Sequence, residues 1–397
     1  MYITNLNKNI MENILDLGNL QFYWRMTSQV DDPKNVVPDF LPFSLIYDQK
    51  NRLIKQKSNS LIWESLERVY QENYNVGYLQ EGHDLAEAYG NDFLNIILDA
   101  VKKFNPSAKE VREIGAGGCY ILKRIIEHGF KGSAIDPSPV CVDKGKAFGI
   151  NVFAEFYPTK EKLPAADVYI HYDVLEHIED PVLFLQNHFD ELNENGLIVF
   201  AVPDCSSYIQ NGDISMIIHE HINFYDVESL GIVTARAGFH VLNIEKAKYG
   251  GVLYCVAQKK NTKPLIYVQQ DDHDCDQKFI QYVEQHKKLI QIIKEFIEDS
   301  FAQRKSIGFY IPLRSIPYLS MLGIKKSIRF FDDDRGVHRK YFDGFPVAVE
   351  NFEDLKINPV DHMIILSFAF GDKIKGKIKN HFGDTINVIT IKDLAKF

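Results

Sequence analysis

The chain has 397 residues, of which 45% are hydrophobic and 25% charged, with a net charge of -9; this length suits two or three domains around a large core. The acidic balance argues against non-specific binding to nucleic acid or anionic membrane, both of which need a Lys/Arg surplus. Five cysteines without a CxxC pair argue against a disulfide framework or structural zinc, and neither a signal-peptide core nor a run near the ~20 apolar residues of a membrane span is present, so the expectation is a reduced, cytoplasmic protein without stable membrane insertion.

In chain order, residues 1–85 are mixed in pattern: LDLGNL at 15–20, a proline-containing stretch over 31–42, then a helical pattern over 60–74. Residues 86–262 alternate helix and strand. Leu94, Ile97, Leu98 and Val101 mark one face of a helix over 85–104. A strand at 111–114 runs into GAGG and a helix over 120–128. The next strand, 133–135, ends on Asp136-Pro137, and a helix over 139–148 leads to a strand at 152–154. Further strands are expected at 168–171 and 197–201, separated by a helix over 180–193 with Pro181 in its first turn. Residues 263–304 read as one helical connector. Residues 305–397 alternate again, with strands at 306–312, 328–332, 348–350 and 362–366. Such alternation specifies an α/β fold, a parallel sheet with helices on both faces, whose ligands bind at the carboxyl ends of the strands near the switch point.

The chemistry gathers at two places. The first is EIGAGG, Glu113 to Gly118. Gly115, Gly117 and Gly118 are expected to take positive φ and to clear Cβ atoms from a ligand, while the following helix offers free N–H groups. Asp136 ends the next strand, close to the spacing of about 20 residues at which an acceptor for ribose hydroxyls sits. Glu113 lies where a dinucleotide enzyme carries an apolar residue. A carboxylate there repels a pyrophosphate and suits a sulfonium and an amino group. The second place is His219-Glu220-His221, after the fifth strand of the alternating region. Two histidines around a glutamate can bind metal, exchange protons, or pack. The spacing is not HExxH and no cysteine pair accompanies it, so no metal is expected, and a proton-transfer role at neutral pH is favoured.

EIGAGG, SAIDPSP and HYDVLEHIEDP together resemble the class I S-adenosylmethionine-dependent methyltransferases. The resemblance implies a Rossmann-like core with S-adenosyl-L-methionine as cofactor. It places Asp173, Val174 and Leu175 beside the cofactor and Glu155 and Phe156 near its adenine. HEH followed by aromatic residues is similar to the nucleotide-sugar C-methyltransferases, which methylate the carbon next to a ketone. That resemblance implies His221 as general base with His219 and Glu220 beside it, His177 as a second active-site histidine, and Tyr78 as an aromatic hydroxyl from the N-terminal region. It also implies a small-molecule, nucleotide-sugar acceptor and a monomer or homodimer.

The chain departs from that family in three places. The tyrosine before HEH is Ile218, which leaves carbon, oxygen and nitrogen methylation open. The first cysteine is Cys119, so the family's N-terminal zinc site is absent, and packing of Phe22, Tyr23, Trp24 and Trp63 is expected to compensate. The C-terminal GFYIPLRS has only Gly308 where the family has a glycine turn, while FFDDD over 330–334 remains, either as a solvated turn or facing a cleft. The expected organisation is an N-terminal module over 1–85, a methyltransferase core over 86–262, a helical connector over 263–304 and a C-terminal α/β domain over 305–397. The competing readings are an NAD-linked sugar oxidoreductase or epimerase, which the missing GxGxxG disfavours, and a non-catalytic binding protein.

Overall fold

The structure, a computed structural model, describes residues 14–22, 26–28, 37–72, 84–264, 277–311, 315–323, 328–332, 334–342, 344–368 and 370–395. The chain opens with β1 (Ile14–Gln21), β2 (Met26–Thr27), β3 (Phe40–Asp48), β4 (Leu53–Gln56) and α1 (Ser60–Glu72). In β3 every second side chain is buried, from Leu41 through Phe43 and Leu45 to Tyr47, the alternation of an antiparallel sheet with one covered face. β1 pairs with β3, and β3 with β4. Phe22 is buried among Val37, Leu41, Ile62, Leu66 and Val69, with Trp63 packed against them, so two of the four aromatics expected to stabilise this module do so. Tyr23, Trp24 and Tyr78 lie outside the described residues.

The central region runs α2 (Asp84–Phe104), β5 (Glu110–Ile114), α3 (Tyr120–Glu127), β6 (Lys131–Ile135), α4 (Pro139–Phe148), β7 (Asn151–Phe153), β8 (Ala166–Tyr172), α5 (Pro181–Glu191), β9 (Leu192–Pro203), α6 (Ser206–Asn211), β10 (Asn223–Phe224), α7 (Val227–Arg236), β11 (His240–Lys246) and β12 (Val252–Gln258). Its seven-stranded sheet has the order β11-β12-β9-β8-β5-β6-β7. β5 to β9 are mutually parallel, and β12 enters antiparallel against β9. The switch point falls between β5 and β8. Leu197 to Val202 are all fully buried, as expected of a strand covered on both faces. Asp180 caps α5 by accepting from Leu183 N–H at 3.0 Å, with Pro181 at the first helical position. β9 begins well before the apolar run at 197, because Leu192 already pairs with Ala166 of β8.

After the core come α8 (Gln277–Ala302), β13 (Ile307–Tyr310), α9 (Ile316–Leu322), β14 (Ile328–Asp332), β15 (Tyr341–Phe342), β16 (Val349–Asn351), β17 (His362–Ile365), α10 (Gly371–Phe382), β18 (Asn387–Thr390) and α11 (Ile391–Leu394). The C-terminal sheet is parallel throughout, in the order β16-β14-β13-β17-β18. β18 has no counterpart in the sequence reading. Gly308 lies inside β13, where a Cβ would meet Phe331 Cε2 at 2.9 Å and Met363 Cε at 3.1 Å; it serves sheet packing rather than a phosphate turn.

The modules are joined by their hydrophobic surfaces. One core contains Leu15, Leu45, Ile209, Ile217, Tyr282, Ile293, Tyr318 and Phe330, drawn from the N-terminal sheet, the segment after β9, α8 and the C-terminal sheet. α8 is therefore a core element and not a tether. β10 adds a strand to the N-terminal sheet through β4, and β2 pairs with β15 of the C-terminal region. Among the described residues, no helix is long and apolar enough to cross a membrane.

Candidate active site

Glu113 is the penultimate residue of β5, between Ala134 of β6 and Ile170 of β8. It is 3% exposed. Its Oε2 has no hydrogen-bond partner, while the Leu122 N–H at the start of α3 bonds the carboxylate. Burial, with the charges of Cys119 and Asp136 nearby, pushes this carboxyl well above the usual carboxylate range. A buried acid with a spare acceptor is held ready for a cationic or hydrogen-bond-donating ligand group, since such a partner would favour its charged form.

The turn that follows depends on two glycines. Gly115 has φ +68° and Gly117 φ +48°. A Cβ on Gly115 would meet Val174 Cγ2 at 2.7 Å, so the glycine lets the loop after β8 close over the loop after β5. Gly118 does not share this conformation, contrary to the sequence expectation. Cys119 takes it instead, with φ +57° as the residue before α3, because the backbone must reverse once more before the helix can begin. The four described cysteines are free.

Asp136 follows β6 directly. Its Oδ2 accepts from Gly117 N–H at 2.8 Å and its Oδ1 from Ser138 N–H at 2.7 Å. It thus braces the glycine turn as well as its own. Burial raises its carboxyl above the ordinary range against the effect of these two donors. A carboxylate has about four acceptor positions, so both bonds leave capacity for ribose hydroxyls. Beyond β7, Glu155 Oε2 accepts from Lys160 N–H at 3.0 Å, and Phe156 is 69% exposed. An exposed ring at the rim of the strand ends is free to stack on a base.

Asp173 follows β8 directly with φ +53° and donates its N–H to Ala201 O of β9 at 3.2 Å. The left-handed backbone turns it and Val174 toward the glycine loop. Leu175, expected beside the cofactor, has no exposed surface and packs in the core under the sheet; its carbonyl accepts from the Asn223 side chain at 3.2 Å. Leu175 anchors the loop and does not line the cleft.

The HEH segment is divided by the structure. His219 is 3% exposed, with Nε2 at 3.2 Å from Leu41 O and its ring edge-on to Phe43 and Phe22. Burial pulls it down to about 4. It is a core histidine of the N-terminal sheet and does not join His221, because adjacent odd positions of an extended segment did not survive as a strand here: His221 N–H closes a tight turn onto Ile218 O at 3.0 Å. Glu220 and His221 remain at the rim. The Glu220 carboxyl is pushed up to about 7 by burial. His221 and His177 lie with ring centroids 5.0 Å apart at 75°. His177 Nδ1 is 2.8 Å from Glu220 O, and burial lowers its basicity. The loop is tied down by Ile222 N–H to Glu176 O at 2.7 Å and by Gln56 N–H to Ile222 O at 2.8 Å.

Sequence reasoning passed over Glu176. It is 1% exposed, and its Oε1 is 3.9 Å from His177 Nε2. One carboxylate oxygen of Glu176 and one ring nitrogen each of His177 and His221 lie within 4.8 Å of one another. The available signal was its position beside His177 in LEHI, a charged residue in an otherwise apolar stretch.

Residues 85–244 match the family model of a methyltransferase domain. This part of the chain carries a methyltransferase domain on a Rossmann-like α/β core. No curated protein sequence matches the chain. Among solved structures, the chain is similar to the Burkholderia thailandensis 1,6-didemethyltoxoflavin-N1-methyltransferase, at 13% identity over 58% of this chain and 100% of that one, with a TM-score of 0.41. It is also similar to the N-methyltransferase NodS of Bradyrhizobium japonicum in complex with S-adenosyl-L-homocysteine, at 14% identity over 50% and 98% of the two chains, with a TM-score of 0.38.

Proposed function

We propose that the enzyme methylates a nucleotide-linked sugar or a related glycan precursor, with His221 as the general base. In this reading Glu113 receives the cationic end of S-adenosylmethionine, Asp136 its ribose hydroxyls, and Phe156 and Glu155 border its adenine. Asp173 and Val174 close the cofactor cleft on the side of β8. His221 takes the proton from the acceptor's carbon or oxygen. S-adenosylmethionine held by Glu113 and Asp136 would supply an electrophilic methyl group to the deprotonated acceptor and would leave as S-adenosylhomocysteine. Alignment of acceptor, methyl and sulfur supplies much of the rate.

The observation that carries this reading is the pairing of His177 and His221, 5.0 Å apart, on a loop roofed by the N-terminal sheet and connected to the loop after β8. This arrangement supports a proton acceptor beside the methyl group. The acceptor class rests on the resemblance in sequence and draws support from the C-terminal sheet. There β13 is central, β14 and β16 lie to one side, and β17 and β18 to the other, so a switch point falls between β13 and β17. Asp332 ends β14 with its carboxyl raised by burial, a position suited to a ribose. We accordingly assign residues 86–262 to methyl transfer and the flanking modules, 1–85 and 305–397, to holding the acceptor.

The test is calorimetry with S-adenosylhomocysteine, followed by a screen of nucleotide sugars for methyl transfer with mass-spectrometric location of the methyl group. Cofactor binding and methylation of a nucleotide sugar are expected. Cofactor binding without any sugar product, alongside methylation of a different acceptor class, overturns the assignment.

A further inference from the structure

We propose that Glu176 is the positioning residue of this base: it holds His177 and His221 in place and offsets the positive charge that His221 acquires on taking the acceptor's proton. The inference rests on the reading of His221 as base. It goes beyond it in naming a carboxylate that neither the sequence pattern nor the family resemblance assigned.

The argument begins from burial. A carboxylate with 1% exposure is costly unless a positive charge or donors answer it. The groups around Glu176 come from four elements. From its own short helix, His177 places Nε2 at 3.9 Å. From the loop before β10, His221 brings a ring nitrogen within 4.8 Å. From the end of β8 comes Tyr172, with Asp173 beside it, and from just after β10 comes Tyr225; burial chiefly raises both tyrosine hydroxyls, followed by the charge of Asp173 at Tyr172 and that of Glu176 at Tyr225. In this set the two imidazoles are the groups that can take up a proton beside the carboxylate. Geometry fixes them as well. The His177 ring is held by Glu220 O at 2.8 Å from Nδ1 and by the Asp173 backbone, with Nε2 standing 3.9 Å from Glu176, and the Glu176 carbonyl holds the His221 loop through Ile222 N–H at 2.7 Å. Backbone and side chain of one residue therefore both act on the base.

A metal ion is the competing use for the same three side chains. Ligand atoms sharing one zinc ion at 2.0–2.1 Å stand about 3.4 Å apart in a tetrahedron. The Nε2-to-Oε1 distance of 3.9 Å exceeds that; it is an ion-pair separation, and a zinc titration separates the two uses.

The experiment needs no acceptor. Full-length protein with labelled histidine and glutamate side chains is titrated by NMR, as wild type, Glu176→Gln and Glu176→Asp, after calorimetry with S-adenosylhomocysteine has checked each variant's fold. Removing the negative charge is expected to lower the midpoint of His221 by about one unit, corresponding to a tenfold change in proton affinity, and Glu176→Asp is expected to restore most of it. In wild type the Glu176 carboxyl and His221 signals should titrate together, a readout that stands even if Glu176→Gln does not fold. An unchanged His221 midpoint in a folded Glu176→Gln variant, or independent titration in wild type, overturns the proposal. So does stoichiometric binding of zinc chloride by wild type but not by Glu176→Gln. Failure of the acceptor screen, by contrast, bears on the substrate reading and leaves these titrations untouched.

Discussion

The central and C-terminal sheets are built on one plan and differ at the place that matters. In each, an innermost strand is flanked on both sides by parallel strands, and an aspartate ends the second strand: Asp136 after β6 and Asp332 on β14. After β5 the backbone turns on Gly115 and Gly117, and Asp136 accepts from Gly117 N–H at 2.8 Å. In the C-terminal sheet the glycine sits within β13, pressed on Phe331 and Met363, and Asp332 is engaged with Asp334 N–H of its own loop at 2.9 Å. Strand order creates a crevice in both. Among the described residues, bare backbone beside a buried acid occurs at the first, the feature on which the proposed cofactor site rests, and topology alone does not identify a ligand.

Substitutions made in matched pairs sharpen this contrast. The largest effect is expected at the rim of the central sheet: His221→Ala should lower turnover by about 10²–10⁴ with cofactor affinity unchanged, whereas His219→Ala, two residues away, should act through stability. Near-normal turnover of His221→Ala removes it as base. Next comes acid. His219 and His286 are held neutral by burial at about 4, below the unfolded value of ~6.5. The unfolded chain thus binds more protons between these values, so stability is full above pH ~6.5 and falls toward pH 4, by roughly 3 kcal/mol for each histidine. Denaturant melts at pH 7 and 4.5 measure this, and an equal pH slope in His219→Gln would exclude its contribution. Third, Asp136→Ala should weaken S-adenosylhomocysteine binding by ~1.5–3 kcal/mol, while Asp332→Ala leaves it unaltered; equal losses in calorimetry would erase the distinction between the sheets. The smallest pair concerns the glycines. Gly115→Ala, strained by ~1–2 kcal/mol at positive φ, should reduce cofactor affinity, and Gly308→Ala should cost about 1–3 kcal/mol of stability by overpacking with cofactor affinity intact.

Several features were legible in the chain alone, because their causes are local. The period of apolar residues placed α2, α4 and β14 almost to the residue. Pro181 marked the first turn of α5, and EIGAGG with Asp136 marked a tight strand-to-helix turn, since a strand, a glycine break and a helix follow one another within a few residues. The pairing of β2 with β15, the passage of β10 into the N-terminal sheet and the use of α8 as shared core were not legible, because they join residues far apart in sequence. The same reason divides the HEH segment. Residue type made His219 and His221 equal candidates. Only the tertiary structure carried His219 into the N-terminal core against Phe22 and Phe43, and brought His221 beside His177 and the buried carboxylate of Glu176. Chemical identity is written locally, whereas burial and charge compensation depend on which distant segments arrive around a side chain.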